Sequence, residues 1–117
     1  MKRLELARFG EKVCVNYLKR KGYKILETNY RCRIGEIDII CEYKNSIVFV
    51  EVKTRSTNVF GFPQEAVNFG KQKKIRQIAC FYLKNNKLYF KSCRFDVMAV
   101  IYKDNKICKI EHFENAF

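Results

Sequence analysis

Residues 35–55, GEIDIICEYKNSIVFVEVKTR, contain two apolar, strand-like runs joined by a short polar turn. The runs cover 36–43 and 47–53, and Tyr43-Lys44-Asn45-Ser46 has the composition of a hairpin connection. Four charged residues interrupt this apolar text: Glu36, Asp38, Glu51 and Lys53. With period-2 alternation, Val48, Val50 and Val52 take one face of the second run, and Phe49, Glu51, Lys53 and Arg55 take the other. In the first run, Glu36, Asp38 and Ile40 are expected on one face, and Ile37 and Ile39 on the opposite one. Apolar residues on both faces mark a covered strand. A covered strand that carries Asp38 needs a partner for that charge.

A turn centred at 44–45 brings Asp38 level with Glu51. If the side chains share a face, two carboxylates meet with the Lys53 ammonium beside them. That set suits Mg²⁺, which takes hard oxygen ligands, keeps several waters and needs only one or two carboxylates. The same set also fits a cross-strand ion pair of Asp38 or Glu51 with Lys53, which would contribute up to about 1 kcal/mol. E-x-K alone does not separate the two readings.

The flanking sequence supplies the rest of a fold. Residues 4–21 are expected to be a helix with Leu6, Ala7, Gly10, Val13, Cys14, Tyr17 and Leu18 on its buried face, stopped at Gly22. Glu11 borders that stripe and reads either as an edge carboxylate reaching solvent or as an acid directed inward. Residues 23–30 alternate as a strand near an edge, and 54–62 form a loop. Pro63 opens a short helix over 63–69, ending at Gly70. A second long helix is expected at about 71–85, with Ile75, Ile78, Ala79, Tyr82 and Leu83 buried. Lys71, Lys73, Lys74 and Arg76 load its first turns with charge of the sign opposed by the helix dipole, which fits a nearby anion or an ordinary solvated face. Strands follow at 93–102 and in ICKIEHF. The order α-β-β-β-α-β predicts an α/β fold, a central mixed sheet flanked by helices, with the second long helix as crossover. Residues 1–117 read as one domain.

Composition narrows the partners. The net charge of +12, from 24 Lys+Arg against 12 Asp+Glu, favours a polyanion, with nucleic acid foremost, although lysine-rich surfaces serve many functions. No apolar run is long enough to span a membrane, and the charged start MKRLELARFGEK does not read as a signal peptide. Six cysteines without a C-x-x-C pair, and a single isolated His112, do not make a zinc site. Cys14, Cys41 and Cys80 sit in apolar periodic stretches as small hydrophobes, which points to a reducing, cytoplasmic setting.

The central stretch resembles the PD-(D/E)xK, or restriction-endonuclease-like, nuclease superfamily, in which an Asp on the second core strand and an E-x-K on the third form the site. Asp38, Glu51 and Lys53 match that pattern position by position. A closer resemblance is to the YraN-like family, through FGEKVCVNYL, KGYKIL, NYRCRIGEIDII, VFVEVKTR, FGFPQEAV and CRFDVMAV, which together cover most of the chain in order. Within the superfamily the chain is most similar to Holliday-junction resolvases and RecB-type nuclease domains, whose first helix carries a Glu that completes the metal site; Glu11 matches it. Ile37 stands where the superfamily's name puts Pro, and Cys14 where the closer family usually has Ala.

The resemblance implies a restriction-endonuclease-like core and a Mg²⁺- or Mn²⁺-dependent phosphodiesterase acting on DNA, branched or single-stranded. Asp38, Glu51 and Glu11 would hold metal, and Lys53 would activate water or offset charge on phosphate. Arg55, Lys71 and Lys74 would grip the nucleic acid, and resolvase-like members act as homodimers. The alternative is a non-catalytic nucleic-acid-binding module on the same fold. Glu36 reads as an exposed acid at a strand start or as a further ligand, and Gln64 as a substrate contact or a helix start. Arg94 and Asp96 read as pairing with each other's neighbours or as sheet support.

Overall fold

Lys44 and Asn45 both adopt left-handed backbone, at φ 47° and 70°. Two successive positive φ values make the hairpin turn whose twist matches its strands. On either side of it, β2 (Gly35–Tyr43) and β3 (Ser46–Arg55) run antiparallel, with Tyr43 opposite Ser46 and Ile39 opposite Val50. The computed structural model describes residues 2–56, 67–104 and 106–117. Helix α1 (Arg3–Arg20) and strand β1 (Lys24–Cys32) precede the hairpin. Helix α2 (Phe69–Asn85) and strands β4 (Ser92–Lys103) and β5 (Lys106–Phe113) follow it.

The strands form one five-stranded sheet in the order β1-β2-β3-β4-β5. Only β3 and β4 pair in parallel; the other pairs are antiparallel. This is the expected α/β mixed sheet with flanking helices, extended by β5 at the far edge. A parallel pair cannot be closed by a tight turn, and α2 lies in the connection between β3 and β4.

Each helix covers its own face. On one side Cys14 and Leu18 of α1 pack with Ile39, Cys41, Val48, Val50, Met98 and Val100. On the other, Ile75, Ile78, Ala79, Tyr82 and Leu83 of α2 pack with Ile37, Ile40, Ile47, Phe49, Phe95 and Val97. Stacked rings of Phe49, Phe95 and Phe117 extend this second cluster. The stripe expected on α2 is buried throughout, whereas on α1 only Gly10, Cys14 and Leu18 are buried, Leu6, Val13 and Tyr17 are half-buried and Ala7 is exposed. Cys80, expected as a small hydrophobe, is also exposed, because the stripe of α2 passes through its neighbour Ala79.

The helix ends follow local chemistry. Gly22 takes φ 92° and its N–H donates to the Lys19 carbonyl at 3.1 Å, closing α1. The Asn68 side chain accepts from the Lys71 N–H at 2.9 Å and caps α2. Helix α2 thus begins at Phe69 rather than 71, and Gly70 lies in its first turn instead of ending a helix. The short helix expected over 63–69 falls mostly outside the described residues, as does Gln64. Among the described residues no helix is long and apolar enough to cross a membrane.

Candidate functional site

Strand β2 changes face at Asp38. Ile37 packs in the α2 cluster with Ile40, while Ile39 and Cys41 pack in the α1 cluster. Strict alternation would join Ile37 to Ile39, so the single face expected for Glu36, Asp38 and Ile40 does not persist along the strand. The break has a local cause on the neighbouring strand. Asn29, between the pairs Tyr30–Ile37 and Thr28–Ile39, stands at φ 51°. Asn tolerates this left-handed conformation better than most residues. On the other side, the described β2–β3 register ends at Ile39–Val50, and Asp38 Oδ2 accepts the Val52 N–H at 2.8 Å. The carboxylate takes a donor that the ladder leaves open.

Glu51 lies one residue before that donor and is 4% exposed. Its Oε2 is 3.2 Å from Lys71 Nζ on α2, and its Oε1 is buried with no hydrogen-bond partner among the described residues. Buried polar atoms are nearly always satisfied, so an orphaned carboxylate oxygen marks a place where a further group belongs. Burial raises the Glu51 carboxyl to about 7, and the negative charge of Asp38 adds to the rise against the pull of Lys71 and Lys53. Burial also raises Asp38, opposed by the Val52 hydrogen bond and by Lys71. Lys53 is lowered, first by burial and then by the positive charge of Lys71. An ammonium so depressed gives up its proton more readily than that of an ordinary lysine.

Glu11 reaches the same cleft from α1. A Cβ at Gly10 would lie 2.2 Å from Thr54 Oγ1, so the helix backbone rests directly on β3. This close approach sets the next residue, Glu11, over the cleft. Burial raises its pKa, and the charges of Asp38 and Glu36 raise it further, while a hydrogen bond from Asn29 opposes them. Its Oε1 is the second buried oxygen without a partner among the described residues. Of the two readings of Glu11, the structure favours the inward one.

The cleft has a volume of about 910 Å³. Four carboxylates, Glu11, Glu36, Asp38 and Glu51, and five bases, Arg8, Arg31, Lys53, Arg55 and Lys71, line it. Arg55 and Lys71, two of the three residues expected to contact nucleic acid, are among them. Lys74 does not line this cleft; it borders an adjoining groove of about 550 Å³ with Lys71 and Lys73. Glu36 is tied at the rim by an exposed 2.8 Å ion pair with Arg31. Arg94 and Asp96 pair directly, at 2.9 and 2.8 Å, away from the cleft lining.

The donor set accommodates a hard divalent cation at Asp38 and Glu51. Burial disfavours ionisation of both acids, and one buried Glu51 oxygen has no partner among the described residues, so hard oxygen donors are present that a cation could take. A complete cage is absent: among the described residues no three His, Cys, Asp or Glu side chains converge on one point. Glu11 borders the pair rather than closing it. Sequence reasoning missed two contributors. Lys71 pairs with Glu51 rather than standing only as a phosphate contact, and Asn29 supports Glu11. The second left a faint signal, an Asn inside a strand of otherwise ordinary propensity.

The model of the uncharacterised protein family UPF0102 matches residues 10–100. A UPF0102 protein of Caldanaerobacter subterraneus subsp. tengcongensis is 51% identical over 110 residues, covering 92% of this chain and 90% of its own. One from Clostridioides difficile is 50% identical over 117 residues, covering 100% of both chains. A third, from Thermodesulfovibrio yellowstonii, is 48% identical over 117 residues, covering 100% of this chain and 99% of its own.

Proposed function

The chain belongs to the uncharacterised protein family UPF0102, and for this member we propose a divalent-metal-dependent nuclease with a restriction-endonuclease-like core that hydrolyses phosphodiester bonds in DNA. The observation that carries this reading is Glu51: buried, one oxygen unpartnered, beside Asp38 and two residues before an amine of lowered pKa. A salt bridge on a solvated sheet face would need none of these properties. The opposite case is also on the molecule, in the exposed pair of Arg31 and Glu36.

Asp38 and Glu51 would hold Mg²⁺ or Mn²⁺, which when bound lowers the pKa of its water and offsets charge on the phosphorane oxygens. The chain's own residues divide the remaining work. The Val52 N–H fixes one Asp38 oxygen and leaves the other for a ligand. Lys53, lowered by burial and by Lys71, takes a proton from the attacking water. Glu11, on a helix seated by Gly10, adds a second-rank carboxylate at the wall. Arg8, Arg31 and Arg55 line the same cleft and attract a polyanionic strand toward it, consistent with the net charge of +12.

The test is cleavage by purified protein of single-stranded, flapped and branched DNAs with Mg²⁺ or Mn²⁺. Activity is expected to require the cation and to disappear in Asp38→Ala and Lys53→Ala. Equal trace activity in wild type and both variants would mark a contaminant and end the reading. No cleavage of any substrate, with DNA binding kept or tightened in Asp38→Ala, would instead establish a non-catalytic binding module.

A further inference from the structure

Lys71 sits in an unusual place for a phosphate-binding lysine. It lies in the first turn of α2, where the Asn68 side chain fixes its backbone N–H. That turn holds no acid of its own, so its positive charge is not balanced within the helix. Its Nζ instead reaches 3.2 Å from Glu51 Oε2, into a carboxylate whose side chain is only 5% exposed. The ammonium satisfies that oxygen, while Oε1 has no partner among the described residues. Its positive charge also lies close enough to Lys53, the other amine at the site, to lower that amine's pKa.

A Lys ammonium is a compact point charge on a flexible stem. It can answer a buried carboxylate as a cation does, but from one side and with one charge. A divalent ion bound at about 2.0–2.1 Å to the same carboxylate would strongly repel it. The Lys71 side chain is 43% exposed and also borders the outer groove with Lys73 and Lys74, so a path away from Glu51 is open.

We propose that Lys71 is a place-holder: its ammonium occupies the cation position at Glu51 while no divalent ion is bound, and cation entry releases it toward the outer groove. This rests on the metal-site reading above. It makes Lys71 a residue that regulates loading of the site, acting through Glu51.

Calorimetry of Mn²⁺ binding to the full chain, without DNA, tests it. Lys71→Gln is expected to bind Mn²⁺ about tenfold tighter than wild type, within the usual range of a coupling between two ligands of one site. Lys73→Gln, which removes the same charge from the same helix, is expected to change affinity by no more than about twofold. Equal tightening in both variants would reduce the effect to bulk charge and overturn the proposal. A second readout follows Lys71 itself. Acylation by an amine-reactive reagent, quantified by mass spectrometry against Lys73, is expected to rise at Lys71 when Mn²⁺ is added. Mn²⁺ binding that depends on Glu51 but leaves Lys71 reactivity and the Lys71→Gln affinity unchanged would overturn the place-holder alone. Mn²⁺ binding absent in wild type, or unchanged in Glu51→Gln, would overturn the metal site and the place-holder together.

Discussion

Asp96 and Glu51 are buried acids on neighbouring parallel strands, Asp96 opposite Val50 and Glu51 opposite Val97. They have opposite fates. Asp96, 0% exposed, accepts from Arg94 Nε at 2.9 Å, Arg94 Nη2 at 2.8 Å and the Asn115 N–H at 2.9 Å, and meets His112 Nε2 at 2.7 Å. Burial works against its ionisation, yet His112, Arg94 and Asn115 outweigh burial and hold it below the ordinary range. Among the described residues Glu51 has one ammonium and one oxygen without a partner, and it is held above that range at about 7. The saturated acid ties β5 and the C-terminal segment to β4. The other leaves an oxygen open to a further group. The difference lies in the count of donors among the described residues, not in burial.

The comparison can be broken at either end. The largest effect is expected at Lys53. Replacement by Arg keeps the charge but removes a group able to lose a proton, so cleavage should fall about 10²–10⁴-fold with DNA affinity nearly unchanged. Retained activity in a single-turnover assay would make Lys53 a fixed charge rather than a base.

Next is Asp96→Asn, which leaves Arg94 and His112 facing a neutral amide. Removing one partner of a buried ion pair costs about 3–5 kcal/mol. Urea unfolding should show most of that loss, because Arg94 keeps some access to water, while Mn²⁺ affinity stays as in wild type.

Glu51→Gln should do the reverse in metal-free protein. The folded carboxyl titrates at about 7 against an ordinary 4.5. Between those values the folded state keeps a proton that the unfolded chain has lost, so stability falls as pH rises through the window and levels off above it. The variant lacks this slope. It should match wild type near pH 4 and exceed it by about 3 kcal/mol at pH 8, measured by urea unfolding in a chelator. A flat wild-type profile would remove the strain assigned to Glu51.

The smallest effect is Lys74→Gln. DNA binding should weaken about threefold, with a salt slope shallower by about one, uniformly across sequences. An unchanged slope, read by fluorescence anisotropy, would take the outer groove out of the binding surface.

Much of this architecture was legible because it is locally encoded. Lys44-Asn45 sets the hairpin, the hairpin sets the level of Asp38 with Glu51, and the α1 and α2 stripes follow the 3.6 period. What was not legible depends on contacts distant in sequence. The face change at Asp38 needs Asn29 across one strand pair and the Val52 N–H across another. The pairing of Lys71 with Glu51 depends on where α2 begins, and the Asn68 cap places that start two residues before the expected position. Asp96 looked like sheet support, but its saturation is completed by His112 and by Asn115 at the far end of the chain.

The parallel pairing of β3 with β4 also has a consequence in time. Glu11, Asp38, Glu51 and Lys53 all precede residue 56, on elements joined by short connections, whereas β4 follows α2. A chain emerging from the ribosome presents the charged hairpin first, with one edge of β3 bare. The parallel partner of Glu51, Val97, lies on the strand that is made later of the two. The charged side chains of the cleft and the strand that completes the sheet beside them therefore come from different halves of the chain.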